Sequence, residues 1–119
     1  MSLETSLRSL LSPLVANRVY PDVTPDEPKY PLIVYQQVGG DVVEFVEGKV
    51  ADKDHARMRV HVWAETRLQA SEIARKVRIA IVEGTLNGTT YGAPVSLHED
   101  MLNIYGNRTD YGIWYTPDP

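Results

Sequence analysis

Cysteine is absent from this 119-residue chain. Its absence excludes thiol nucleophiles, redox pairs, iron-sulfur clusters and every zinc site that uses thiolates. Positive charge is scarce too: 12 Lys and Arg stand against 16 Asp and Glu, a formal net charge of −4 and a pI near 5.3. Tight binding to nucleic-acid phosphates relies on clustered Lys and Arg that displace counterions, so this balance argues against it. No run approaches the ~20 consecutive apolar residues of a membrane span. The opening Met1-Ser2-Leu3-Glu4-Thr5 lacks the positive region and small-residue cleavage site of a secretory signal. The expected location is the cytoplasm, where the triplets at Asn87 and Asn107 carry no glycosylation meaning. Phosphate-cradling loops are missing as well: Gly48-Lys49 has Val43 and Val50 where such a loop needs Gly and Ser or Thr. No Gly-x-Gly-x-x-Gly or Gly-x-Ser-x-Gly occurs.

What is present suits one domain over residues 1–119, large enough to bury about 65% of its unfolded surface without staples. A compact chain of this length has a radius of gyration of about 13 to 14 Å. Leu3, Leu7, Leu10, Leu11 and Leu14 recur at helical spacing, and Ser12-Pro13 reads as a cap plus first helical position. The spacing predicts a helix over 3–11 and a short turn over 13–17. Val19-Tyr20-Pro21 then leads away, and the prolines at 21, 25, 28 and 31 mark an extended loop. Residues 32–38 have strand composition and end at Gly39-Gly40. Residues 41–47 read as a second strand or a mobile arm. Over 56–63, Met58, Val60 and Val62 alternate with Arg57, Arg59 and His61, the signature of a half-exposed antiparallel strand.

Thr66 followed by Gln69 opens a helix that runs to Gly84. Its main stripe is Ala70, Ile73, Ala74, Val77, Ala80 and Ile81, while Leu68, Ile79 and Val82 fall on the opposite side beside Arg75 and Arg78. A helix apolar on two sides has two things to pack against, its own sheet and, here, another subunit. Asn87-Gly88 signals a turn, and Pro94 opens a run in which Val95, Leu97 and Met101 share a face. Residues 111–115 form a short closing strand. The expected fold is α+β: an antiparallel or mixed sheet of four to five strands on two main helices, in the order α, short α, β, β, β, α, β, β.

Candidates for chemistry are thin. His55, His61 and His98 show no i, i+4 pairing for zinc. Asp52, Asp54 and His55, or His98, Glu99 and Asp100, offer oxygen-rich sets for a hard cation, or are solvated loop charges. Arg57, Arg59 and His61, with Trp63 on the same face, make a basic aromatic stripe that suits single-stranded nucleic acid; the competing reading is pairing with carboxylates, with Asp52, Asp54 and Glu65 close by. Arg75, Lys76 and Arg78 follow Glu72 as an ion-paired helix face would.

The ordered set of segments resembles the siphophage tail-completion, or tail-terminator, proteins. The resemblance runs from about Leu3 to Tyr115. It rests on the leucine helix, Arg18-Val19-Tyr20-Pro21, Tyr30-Pro31-Leu32-Ile33-Val34-Tyr35, Arg59-Val60-His61-Val62-Trp63-Ala64-Glu65-Thr66 and Asp110-Tyr111-Gly112-Ile113-Trp114-Tyr115. It implies a non-enzymatic virion assembly protein with no catalytic residues, cofactor or metal. Such a protein forms a ring, often hexameric, that caps the tail tube and meets the head connector. It assembles in the host cytoplasm and ends in the virion tail. On that expectation Leu68, Arg75, Arg78, Ile79 and Val82 form the subunit contact. Asp41, Val43, Glu44, Phe45 and Glu47 belong to an arm that docks on tube or connector. Six copies at −4 each carry −24, so DNA passes the lumen without being held. The alternatives are a metal-dependent enzyme and a small nucleic-acid-binding α+β module.

Overall fold

Two helices and five strands follow from these local patterns. The computed structural model of the chain describes residues 2–42 and 52–117. In chain order the elements are α1 (Leu3–Leu11), a 3-10 turn (Ser12–Leu14), β1 (Val19–Pro21), β2 (Leu32–Gln37), β3 (Asp54–Ala64), α2 (Arg67–Glu83), β4 (Thr89–Glu99) and β5 (Ile104–Tyr115). Both helices begin on side-chain caps. Ser2 Oγ accepts from the Thr5 N–H, and Thr66 Oγ1 from the Gln69 N–H, each at 3.1 Å. These caps satisfy amide groups that the first helical turn leaves without a partner.

The strands form one mixed sheet in the order β1-β2-β3-β5-β4, antiparallel except for the parallel β1–β2 pair. The α+β class and the five-stranded mixed sheet therefore agree with the sequence, but the first of the three strands before α2 is one the sequence did not mark, and several boundaries differ. Val19–Pro21 is a strand rather than the start of a loop. Its parallel register to β2 runs only from Val19↔Ile33 to Pro21↔Tyr35, so the connection has just two strand steps, roughly 7 Å, to recover. A proline-rich loop is long enough for that return. Asp41 and Val42 lie outside any strand, and Val43, Glu44, Phe45 and Glu47 fall outside the described residues. Residues 89–99 form one strand with a bulge between Tyr91 and Val95, and Met101 sits in the turn beyond it. The closing strand spans 12 residues and is central, not short.

Side chains alternate across β3 and decide which face is covered. Ala56, Met58, Val60 and Val62 join Ile33, Tyr35, Tyr111 and Ile113 beneath the helices. From above come Leu3, Leu7 and Leu11 of α1 and Ile73, Ala74, Val77 and Ile81 of α2. Leu32 and Val34 point to the opposite face, in register with Trp63 and His61, and are also buried. The molecule is longer than a compact chain: its radius of gyration is 15.2 Å and its extents are 53 × 26 × 26 Å. Strands of 11 and 12 residues at about 3.3 Å per residue account for roughly 40 Å of the long axis.

Both sheet edges discourage pairing with another strand. β1 is three residues long and ends in Pro21, while β4 carries Pro94 and the bulge. Leu7 is fully buried where α1 meets the sheet. Leu7→Ala should cost about 3 kcal/mol through lost transfer energy and a residual cavity. A urea titration checks this as a lower midpoint at unchanged slope.

Candidate functional site

The uncovered face of β3 carries the basic and aromatic stripe, and the structure supplies its counter-charge. Asp110, directly opposite Arg59 on β5, accepts from Arg57 Nε at 2.8 Å, from Arg59 Nε at 2.8 Å and from Arg59 Nη2 at 3.1 Å. Its side chain is only 8% exposed, against 46% for Arg57 and 34% for Arg59. One shielded carboxylate thus organises two partly solvated guanidiniums. The carboxylates near in sequence, Asp52, Asp54 and Glu65, are not the partners. Asp110 lies 51 and 53 positions from the two arginines, so no local spacing could have marked it.

Aromatic side chains complete this face. Arg57 lies 4.8 Å from the centre of the Tyr91 ring, a cation–π contact. The Tyr91 hydroxyl is 3.1 Å from His55 Nε2, and His55 Nδ1 accepts from the Asp41 N–H at 2.9 Å. Two glycines of β5 make room for these groups. A Cβ at Gly106 would stand 2.7 Å from the Trp63 ring, and one at Gly112 would meet the Tyr91 hydroxyl first and stand 2.8 Å from His55 Nε2. The Trp63 indole and the Tyr91–His55 pair therefore lie close over backbone that carries no side chain. His61 stacks on Trp63 with ring centres 6.3 Å apart.

This arrangement does not assemble the predicted cation site. His55 is buried and both its nitrogens are occupied. Among the described residues, no group of three or more His, Asp or Glu side chains is placed to hold a metal ion. His98 and Asp100 do come together, Nδ1 to Oδ1 at 2.9 Å, but in an exposed turn where His98 Nε2 also meets Asn103 Oδ1 at 3.1 Å. The nucleic-acid stripe is likewise modified, because two of its cations already share a carboxylate.

The second feature is the outer side of α2. Ala70, Ile73, Ala74, Val77 and Ile81 are buried against the sheet, and Ala80 is half-buried. On the opposite side Leu68 is 70% and Ile79 45% exposed, Val82 is half-buried, and Arg75 and Arg78 are exposed. Among the described residues Arg75, Lys76 and Arg78 make no ion pair, so the expected pairing with Glu72 is not formed. Ser71, Glu72, Arg75, Lys76 and Ile79 line a shallow open groove there. The helix thus presents a mixed apolar and basic face to solvent. Among the described residues, no helix is long and apolar enough to cross a membrane.

The chain is thus a small α+β domain with an internally satisfied polar cluster on one sheet face and an exposed apolar and basic side on α2. Residues 5–99 match the family described as "Tail completion protein gp17". The chain belongs to that family and is a structural component of a phage tail. A chain from a solved structure titled "Virion of native gene transfer agent (GTA) particle" shares its fold. The TM-score is 0.61 at 16% sequence identity, covering 95% of this chain and 93% of that one. No curated protein matches the sequence.

The arginine pair makes stability sensitive to acid. The Asp110 carboxyl is held below its ordinary 3.8, first by the Arg59 hydrogen bond, against opposing desolvation, and then by Arg57. Its contribution is complete above that value and is lost as pH falls through the depressed one. His61 is also lowered from 6.5, chiefly by burial and then by Arg108 and Arg59, so its protonation opposes folding as pH falls below 6.5. Unfolding free energy should therefore decline in two stages on acidification. Asp110→Ala should cost about 2 kcal/mol at neutral pH and flatten the lower stage, as charge-assisted hydrogen bonds of this kind predict. Denaturant titrations from about pH 7 down to about pH 3 read both effects.

Proposed function

We propose that the chain is one subunit of a homo-oligomeric ring, hexameric when closed, at the head-proximal end of the tail tube. The ring stops tube growth and presents a joining surface to the head connector. Its partners are further copies of itself, the tail-tube protein and the connector proteins. It assembles in the host cytoplasm and remains in the virion tail.

The observation that carries this reading is the outer side of α2. Exposed Leu68 and Ile79 beside Arg75 and Arg78 are a poor end state for a helix of a lone monomer, and covering them is favourable at roughly 25 cal/mol per Å² of apolar area. Membership in the tail completion family supplies the context in which a second copy is the natural cover. The guarded sheet edges support contact through side-chain surfaces rather than strand addition. Charge fits as well: six copies at −4 each carry −24, which favours passage of DNA over its retention. The reading includes no catalytic step and no cofactor. It retains residues 41–47 as the arm that docks on tube or connector.

Electron micrographs of the purified protein, alone and with tail tubes, should show rings. Ile79→Asp should give a folded monomer by circular dichroism and light scattering; a variant with the wild-type assembled mass removes α2 from the contact. Deleting residues 41–47 should leave rings intact and abolish head–tail joining in a complementation assay. Joining that survives the deletion assigns docking elsewhere.

A further inference from the structure

The β4–β5 turn holds the most exposed pair of adjacent apolar side chains among the described residues: Met101 is 93% and Leu102 61% exposed. Such a pair at the end of a long hairpin costs solvation unless something covers it. The turn is also braced from within. Glu99 Oε1 accepts from the Met101 N–H at 3.2 Å, and His98 ties Asp100 to Asn103. His98 in turn packs on Tyr105 with ring centres 4.7 Å apart. A preformed turn loses little conformational entropy on docking.

Two surfaces of this molecule complement each other. The tip combines Met101 and Leu102 with the acids Glu99 and Asp100. The outer groove of α2 combines Ile79 with Arg75 and Lys76, which outnumber the single acid Glu72 in its lining, and exposed Leu68 lies on the same side of the helix. Apolar meets apolar, and a negative rim meets a positive one. The tip closes the β4–β5 hairpin and the groove lies on the side of α2 away from the core, so they are separate surfaces of one molecule. A second copy offers a matching occupant for each. Since tip and groove are different surfaces, the contact is head-to-tail, the type that generates rings when the rotation closes.

We propose that the Met101–Leu102 tip of one subunit seats in the α2 groove of the next. This rests on the reading of α2 as the subunit contact and adds the identity of what covers it. The substituted side chains are exposed and lie outside the core cluster, so the variants should fold. The tip variant Met101→Asp with Leu102→Asp and the groove variant Ile79→Asp should each be monomeric by light scattering. Mixed in equal amounts they should form a dimer and stop there, since one intact tip and one intact groove remain between them. Separately, Asp100→Arg and Arg75→Glu should each weaken association about tenfold, with the combined variant regaining most of it. If the tip variant assembles like the wild type while Ile79→Asp does not, the tip assignment fails and the α2 contact stands. If Ile79→Asp also assembles normally, both fail. A mixture that remains monomeric overturns the tip-in-groove pairing.

Discussion

The register between β3 and β5 is the constraint on which the rest depends. It runs without interruption from Asp54↔Tyr115 to Ala64↔Tyr105 and fixes both faces of the sheet at once. With this pairing Met58 and Tyr111 lie beneath the helices, while Arg59 and Asp110 meet on the other side. A slip of one residue would turn Asp110 into the core and Tyr111 out to solvent. The shielded carboxylate and its two arginines therefore matter less as a source of stability than as a pin for the register. Ion pairs with one solvated partner contribute modestly, but a misplaced buried charge is expensive.

Once the register is set, the remaining features divide into those the fold satisfies and those it leaves open. Asp110 pairs with Arg57 and Arg59, and His55 with Tyr91, across three strands, and the two β5 glycines let Trp63, Tyr91 and His55 lie close to the sheet. The edges are guarded by Pro21 and by Pro94 with its bulge. The apolar surface left exposed includes the outer side of α2 and the tip of the β4–β5 hairpin. A chain that closes its polar chemistry inward and leaves apolar surface at its periphery is suited to a role carried by contacts with neighbours, consistent with a tail completion protein.

Much of the fold was legible because it is local. The leucines of α1, the capping Thr66 and the alternation through Met58, Val60 and Val62 each declare an element within one window of sequence. β5 was only partly legible. Gly106, Asn107, Arg108, Asp110 and Gly112 are poor strand formers, and their places are held by neighbouring strands on both sides. β1 was missed because three residues ending in proline carry no periodicity; it exists through its pairing with β2. Of the candidate surfaces, the two-sided character of α2 was visible from spacing alone. The Asp110 partnership was not, because it joins residues more than fifty positions apart.

The sequence by itself determined the α+β class, the two helices, the half-exposed central strand and the absence of thiol chemistry. These follow from composition and from patterns that act within a few turns of chain. Tertiary structure alone decided which carboxylate neutralises Arg57 and Arg59, that His55 is sequestered instead of available to a metal, and which of the two apolar sides of α2 is covered. Each of those outcomes depends on strands brought together from distant parts of the chain, and proximity in space is set by register and packing, which no local pattern encodes.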